Sequence, residues 1–464
     1  MKKIPFVVVK MVNMVLMMIP FLFCWFGYYE RRTNTAGSKQ VSVLVLCTFF
    51  ILCYYFGQRL DCFRVSILQI RDVVFGQVLS TLITDVIMYV LIWMLSVHMP
   101  NLLPGICAWL VQCVIGCIWG KVMHVNYFAS HPPLKTVVIY DEREGMEKLV
   151  HTYGLEKRFQ IRKIYPVEDI IEHLEELDGM NAAFLCGIHS AQRNVIMKYC
   201  TFHKIKLFMI PRISDLLMRG AEQIHMLHMP IIKQQRCKPP IEYVIAKRFA
   251  DIVFSGVALV ILSPIFLITS IAVKSDGGPV FYKQKRLTKD GRVFEIIKFR
   301  SMRVDAEKYS GAVLSAGEND PRITKVGRVI RACRIDELPQ LLNILKGDMS
   351  IVGPRPERPE IEEKIEKELP EFALRLQVKA GLTGYAQVYG KYNTTFYDKL
   401  LMDLMYISKP SILEDLTIML ATVKILTSKE STEGIGEGKE ELKMRVKSVQ
   451  TEEEVKSESD CKVS

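Results

Sequence analysis

Four apolar segments crowd the first 120 residues, at about 5–28, 41–57, 74–97 and 102–120. A helix needs ~20 apolar residues to cross the hydrocarbon core of a bilayer, and each segment is near that length, the second a little short. The pattern points to a membrane protein with soluble parts attached and predicts four transmembrane helices over residues 1–125. The first segment is too long for a removable signal peptide and lacks a small-residue cleavage site. Lys10 and Asp85 interrupt the apolar runs; snorkelling or an inward-facing position accommodates each. Lys2, Lys3, Arg59, Arg64, Arg71 and Lys121 flank the segments in a way that puts the N-terminus in the cytoplasm. Arg31, Arg32 and Lys39 then fall outside, against the positive-inside rule.

The net charge of +11 suits anionic partners: phospholipid headgroups, phosphorylated substrates or nucleic acid. Nucleic acid is the weakest of these, because the basic runs are not interleaved with aromatic stacking platforms. The twelve cysteines are scattered without a C-x-x-C pair, so neither a structural disulfide nor a zinc site is expected. No histidine follows His228. Chemistry in the last half of the chain must run without imidazole, which excludes Ser-His-Asp, Cys-His and H-E-x-x-H sites there.

From 134 to 235 short β-rich runs, "KTVVIYD", "FQIRKIY", "NAAFLCG" and "KIKLFMI", alternate with the amphipathic "VEDIIEHLEEL" and "SAQRNVIMKYC". That alternation predicts a cytosolic, doubly wound, Rossmann-like α/β domain. The text after the first strand, "DEREGMEKL", lacks G-x-G-x-x-G, so no dinucleotide cofactor is expected and a regulatory or scaffolding role fits better. The segment 248–276 is apolar again, with Ser263-Pro264 at its middle. Proline kinks a helix. Either a kinked span carries the rest of the chain across the membrane, or a re-entrant hairpin dips in and returns; periodicity does not separate the two. The tail 429–464 has no aromatic residue and is dense in Glu, Lys and Ser, the composition of a disordered segment.

The chemistry gathers after the apolar hairpin. Residues 283–303 hold eight Lys or Arg against two acidic residues. Headgroup contact explains Lys283, Lys285 and Arg286, but Lys298 and Arg300 sit in the strand-like "FEIIKFRSM", where a charge needs a designated anionic partner. Arg331 and Arg334 precede the carboxylates Asp336 and Glu337 by five and two residues. "ELPQLLNIL" reads as a helix with both carboxylates in its first turn, where the dipole lowers carboxylate pKa. An ordinary acidic helix start explains that pair when it stands alone. Here "SIVGPRPERPE" follows with Arg355 and Arg358, whose forks match phosphate oxygens. A carboxylate can hold Mg²⁺ or attack phosphorus, and either role suits phosphoryl transfer.

"KFRSM", "DPRITKVG", "RACRIDELPQLLN", "GDMSIVGPRPERPE", "GLTGYAQVYGKYNTT" and "DLMYI" occur in this order. Over 243–427 they resemble the bacterial sugar transferases, the monotopic polyprenyl-phosphate hexose-1-phosphate transferases that start exopolysaccharide or capsule synthesis. The preceding spans and α/β domain resemble the large members. The resemblance implies a nucleophile at Asp336 with Glu337 beside it, and Mg²⁺ held by Asp336. It implies phosphate-binding roles for Lys298, Arg331, Arg355 and Asp403, with Arg300 and Arg358 in the same basic surroundings. Ser263 and Pro264 match the family's re-entrant hinge, which implies the hairpin. The substrates implied are a UDP-sugar, a hexose by likeness of "ERPE" and "YGKYNTT", and undecaprenyl phosphate at the membrane lipid surface. The location implied is the bacterial inner membrane with the soluble parts cytoplasmic, and the membrane and α/β segments leave room for a homodimer. Lys379-Ala380-Gly381 lacks the proline common before "LTG", and Tyr385 stands where tryptophan is common. The fold expected is thus a membrane α-helical bundle, an α/β domain and an α+β catalytic domain with a re-entrant membrane helix. The rival reading is a non-catalytic membrane scaffold that recruits polysaccharide-synthesis enzymes.

Overall fold

The structure is a computed structural model. It describes residues 6–426 except 35, 36, 67, 69, 227, 305–321 and 391–393, together with 443–444. The expected disordered tail therefore lies almost wholly outside the described residues. The chain forms two compact units, one running to Ile210 and the other beginning at Pro211.

In the first unit, helices α1 (Phe6–Cys24), α2 (Lys39–Arg59), α3 (Ile70–Leu95) and α4 (Leu103–Ser130) are long and apolar enough to cross a membrane. A π-helical turn, Trp25–Tyr29, prolongs α1. The helices bury Met14, Phe21, Trp25, Phe49, Met88 and Ile92 between them, and leave Phe23, Leu44 and Met94 exposed on the outside. An apolar exterior of that kind is what a hydrocarbon solvent accepts. Small residues set the close approaches: a Cβ on Gly76 would lie 2.5 Å from the Leu60 carbonyl oxygen. Asp85 points inward, its carboxylate oxygens closed off from solvent, and Lys10 lies over the Phe63 ring.

Four strands follow: β1 (Leu134–Tyr140), β2 (Phe159–Pro166), β3 (Ala182–Cys186) and β4 (Lys206–Met209). They form one parallel sheet in the order β2-β1-β3-β4. The continuous apolar run Val137–Ile139 is buried because β1 is an inner strand. It packs with Leu185, Ile196 and Cys200.

The division at Ile210/Pro211 falls inside the segment 134–235 that alternation assigns to a single α/β domain. The helix Ile213–Arg219 packs within the second unit, where a Cβ on Gly220 would lie 2.5 Å from the Ser408 carbonyl oxygen. The second unit then continues with α5 (Ile241–Ile261) and α6 (Ser263–Ser275), bent by 63° at Leu262. Pro264 sits in the first turn of α6, where its missing N–H leaves no helical bond unmade. Both outer ends of this pair are tied to the same globular body. Arg248 donates to the Ile344 and Leu345 carbonyls, at 2.7 Å each. Beyond the bend, Arg300 donates to the Val273 carbonyl at 2.9 Å. Around the bend Val260, Leu267 and Ile268 are exposed.

The body is built from an antiparallel hairpin, β5 (Phe281–Leu287) and β6 (Val293–Phe299), then α7 (Lys325–Ala332), α8 (Gln340–Lys346), β7 (Ser350–Val352), α9 (Pro359–Glu368), β8 (Gly381–Thr383), α10 (Phe396–Ile407) and α11 (Ile412–Leu426). Phe294, Ile296, Leu341, Ile344 and Met349 form the core between hairpin and α8. A Cβ on Gly327 would lie 1.9 Å from the Ser301 carbonyl oxygen, so only glycine lets α7 lie against the end of β6.

Candidate active site

Asp336 and Glu337 do not lie in the first turn of a helix. Pro339 has no N–H to continue one, and α8 begins only at Gln340. The pair occupies a separate 3₁₀ turn, Ile335–Glu337, entered through Arg334 in the left-handed region at φ 54°. A non-glycine residue held there marks a backbone determined by its surroundings. The two carboxylates are thus presented on a tight connection between α7 and α8.

Asn343 fixes this connection to the hairpin. Its side chain accepts from the Ile297 N–H at 2.9 Å and donates to the Glu295 carbonyl at 2.7 Å. Lys298, the next residue along β6, then reaches Glu337 Oε1 at 3.1 Å. Arg355 donates to the same oxygen at 2.8 Å. Among the described residues the half-buried Asp336 has no hydrogen-bond or ion-pair partner.

The surroundings push the two carboxyls apart. Burial, reinforced by the negative charge of Glu337, pushes Asp336 up to about 6 against the pull of Lys298, Arg331 and Arg355. This reverses the lowering expected from a helix dipole, since the pair precedes the helix and is partly desolvated. Burial acts to raise Glu337 too, but Arg355 and Lys298 outweigh it and hold the carboxyl well below the usual carboxylate range. Burial lowers Lys298 in turn, against the pull of Glu337. One carboxylate is a paired anion; its neighbour has no partner among the described residues and is more basic than usual, the division that acid–base and nucleophilic chemistry needs.

The Arg355 loop is held from both sides. Arg375 donates to the Arg355 carbonyl at 2.6 Å and to Asp403 Oδ2 at 3.0 Å. Arg286 donates to the Pro356 carbonyl at 3.0 Å and pairs with Glu357 at 3.6 Å. Gly353 and Gly381 allow main chains to touch: a Cβ on Gly381 would lie 2.1 Å from the Gly353 nitrogen. Neither arginine was a site candidate on sequence grounds. Arg375 had a signal, a lone charge in the apolar "FALRLQV"; Arg286 was hidden in a basic run that a membrane surface explains.

The structure gathers Asp336, Glu337, Lys298, Arg331 and Arg355, with Arg331 in the last turn of α7 adding positive potential at Asp336. It places the others differently. Arg300 directly follows β6, with its guanidinium on the Val273 and Pro279 carbonyls at 2.9 Å each; it clamps α6 instead of meeting an anion. Arg358 is buried as the N-cap of α9, beside Arg286. Asp403 is buried and paired with Arg375, so it reaches the site only through the Arg355 main chain. Ser263 and Pro264 lie at the bend. Ala380, in place of the common proline, donates its N–H to Thr288 Oγ1 at 3.2 Å, a bond proline lacks. Tyr385 donates to Glu414 at the start of α11.

Residues 242–429 match the model of a family described as bacterial sugar transferase. The chain is 50% identical over 135 residues to a putative undecaprenyl-phosphate N-acetylgalactosaminyl 1-phosphate transferase of Bacillus subtilis, covering 29% of this chain and 74% of that one. It is 37% identical over 199 residues to a UDP-glucose:undecaprenyl-phosphate glucose-1-phosphate transferase of Caulobacter vibrioides, covering 42% and 74%. It is 36% identical over 231 residues to a UDP-N-acetylgalactosamine-undecaprenyl-phosphate N-acetylgalactosaminephosphotransferase of Aeromonas hydrophila, covering 49% and 53%. The chain spans about half the length of the longer relatives it matches. The ordered motifs around Asp336 and the extent of these matches make the chain a member of the bacterial sugar transferase family.

Proposed function

We propose that this protein transfers a hexose-1-phosphate from a UDP-sugar to undecaprenyl phosphate, the first membrane step of exopolysaccharide or capsule synthesis. The observation that carries the reading is the unpaired Asp336 carboxylate beside a Glu337 locked by two cations. An Asp336 oxygen bonds to the β-phosphorus of the UDP-sugar, the bond from that phosphorus to the bridging oxygen breaks, and UMP leaves with the electron pair. The sugar phosphate stays on Asp336 as an acyl phosphate. An oxygen of undecaprenyl phosphate attacks the same phosphorus and the aspartyl oxygen leaves as carboxylate. Lys298, Arg331 and Arg355 offset the charge on the phosphoryl oxygens, which is most of what such a transfer requires.

Among the described residues no group of three or more His, Cys, Asp and Glu side chains converges on one metal position. Two adjacent carboxylates are too few for an all-protein cage, yet they fit Mg²⁺, which takes one or two carboxylates and shares its other positions with water and substrate phosphates. Asp336, with Glu337 beside it, would hold the ion, which neutralises charge on the diphosphate oxygens.

The α5–α6 pair reads as a re-entrant hairpin, because its two ends are tied to one body and its bend is apolar outside. That sets Asp336 at headgroup depth on the cytoplasmic side of an inner membrane. The parallel sheet with β1 inside reads as a Rossmann-like module with a regulatory or scaffolding role. The names of relatives include both glucose and N-acetylgalactosamine donors, so a panel of UDP-sugars is the direct test. Membranes bearing the protein should release UMP from one of them when undecaprenyl phosphate is present, and Asp336→Asn should release none. UMP release by that variant at the wild-type rate would overturn the covalent route.

A further inference from the structure

Helix α10 carries a lysine one turn before Asp403. Lys399 is half-buried. Its ammonium lies 5.2 Å from the centroid of the Phe396 ring, and among the described residues it makes no hydrogen bond or ion pair. Residues four apart share a helix face, so Lys399 lies on the side of α10 that presents Asp403 to Arg375. Burial lowers its pKa, Glu357 opposes that, and Arg375 and Arg355 lower it further.

The neighbouring charges are already engaged. Asp403 is paired with Arg375 at 3.0 Å, Glu357 with Arg286 at 3.6 Å, and Arg375 also holds the Arg355 carbonyl. A partly desolvated ammonium with no anion of its own is unfavourable unless a ligand supplies one. Asp403, on the same face of α10, is joined through Arg375 to the main chain of Arg355, whose side chain reaches Glu337, so the missing anion is one that enters the same pocket. A lysine ammonium is a compact point charge with three rotatable donors, suited to a phosphate oxygen whose exact position varies.

We propose that Lys399 is an anion-binding residue of this pocket, donating to a phosphate oxygen of a bound substrate. The proposal rests on the phosphoryl-transfer reading above and adds a residue to it. The same chemistry could come from the nucleotide diphosphate or from the lipid phosphate, and the two are separable by titration.

Full-length protein in lipid nanodiscs is titrated calorimetrically with UDP and, separately, with a short-chain polyprenyl phosphate, as wild type, Lys399→Met and Lys399→Arg. Lys399→Met should bind one ligand about tenfold more weakly, the scale of one lost charge-assisted hydrogen bond, while Lys399→Arg restores binding. A loss confined to UDP identifies the diphosphate as the partner; a loss confined to the lipid identifies its phosphate. If Lys399→Met melts early, Lys399→Gln replaces it. Equal affinity of wild type and variant for both ligands overturns the proposal, as does a wild type that binds neither. A wild type that binds with Lys399-dependent affinity but releases no UMP sinks the transfer reading and leaves the anion site standing.

Discussion

Two cations converge on one oxygen of Glu337, and the consequence is felt at its neighbour. In the proposed transfer Asp336 must be ionised to attack phosphorus. With its carboxyl pushed up to about 6, the rate should rise with pH as that proton is lost and reach half its plateau near the same value, read from initial rates of UMP release. Glu337→Gln removes the adjacent negative charge that helps raise Asp336, so the acid limb should move to lower pH. The same change strips Lys298 and Arg355 of their shared anion, and kcat should fall by about 10²–10³-fold, the scale of losing one preorganised electrostatic group. The stability contributed by Glu337 runs with pH in the same direction as the rate. Its folded pKa is depressed, so its ion pairs contribute stability above the unfolded value of ~4.3 and lose it as pH falls through the folded value.

At the scale of elements, the root of α5 is where the bent α5–α6 pair is anchored. Asp415 on α11 accepts from Lys247 at 2.9 Å, from Tyr243 at 3.0 Å and from Tyr406 at 2.8 Å. Asp251 accepts from Ser350 Oγ and from the Ile351 N–H, at 3.1 and 2.9 Å. Asp415→Ala leaves a largely buried ammonium and two hydroxyls without their acceptor, and should destabilise the protein by about 3 kcal/mol, seen as a lower melting midpoint of the purified protein. Much of the element pattern was legible in the sequence, because apolar length and strand alternation are strong periodic signals: the four long helices, β1, β3 and β6 all stand where the text places them. The carboxylate pair and its cations Lys298, Arg331 and Arg355 were legible as a charge constellation. The turn that carries Asp336 was not, because Pro339 reads equally well inside a first helical turn or just before one. The destinations of Arg300 and Asp403 were hidden for a related reason. Whether a charge meets a ligand, a carbonyl or another charge depends on partners 20 to 30 residues away, such as Val273 and Arg375, that no local pattern specifies.

At the scale of the whole molecule, the path of the chain at Ser263-Pro264 decides which side of the membrane carries the chemistry. A kinked span would put Lys238 and Lys285 on opposite faces; a re-entrant hairpin keeps them on one. The structure ties residues on both sides of the bend to one body, through Arg248 and Ile344 before it and Val273 and Arg300 after it, and this supports the proposed hairpin. Both lysines are exposed, so Lys238→Cys and Lys285→Cys report the path without disturbing a contact. In a background with the native exposed cysteines replaced by serine, a membrane-impermeant maleimide should leave both positions unlabelled in intact spheroplasts and label both in inverted vesicles. One position labelled from each side would mean a true span, would place Asp336 away from the cytoplasmic nucleotide supply, and would remove the route by which a UDP-sugar reaches it.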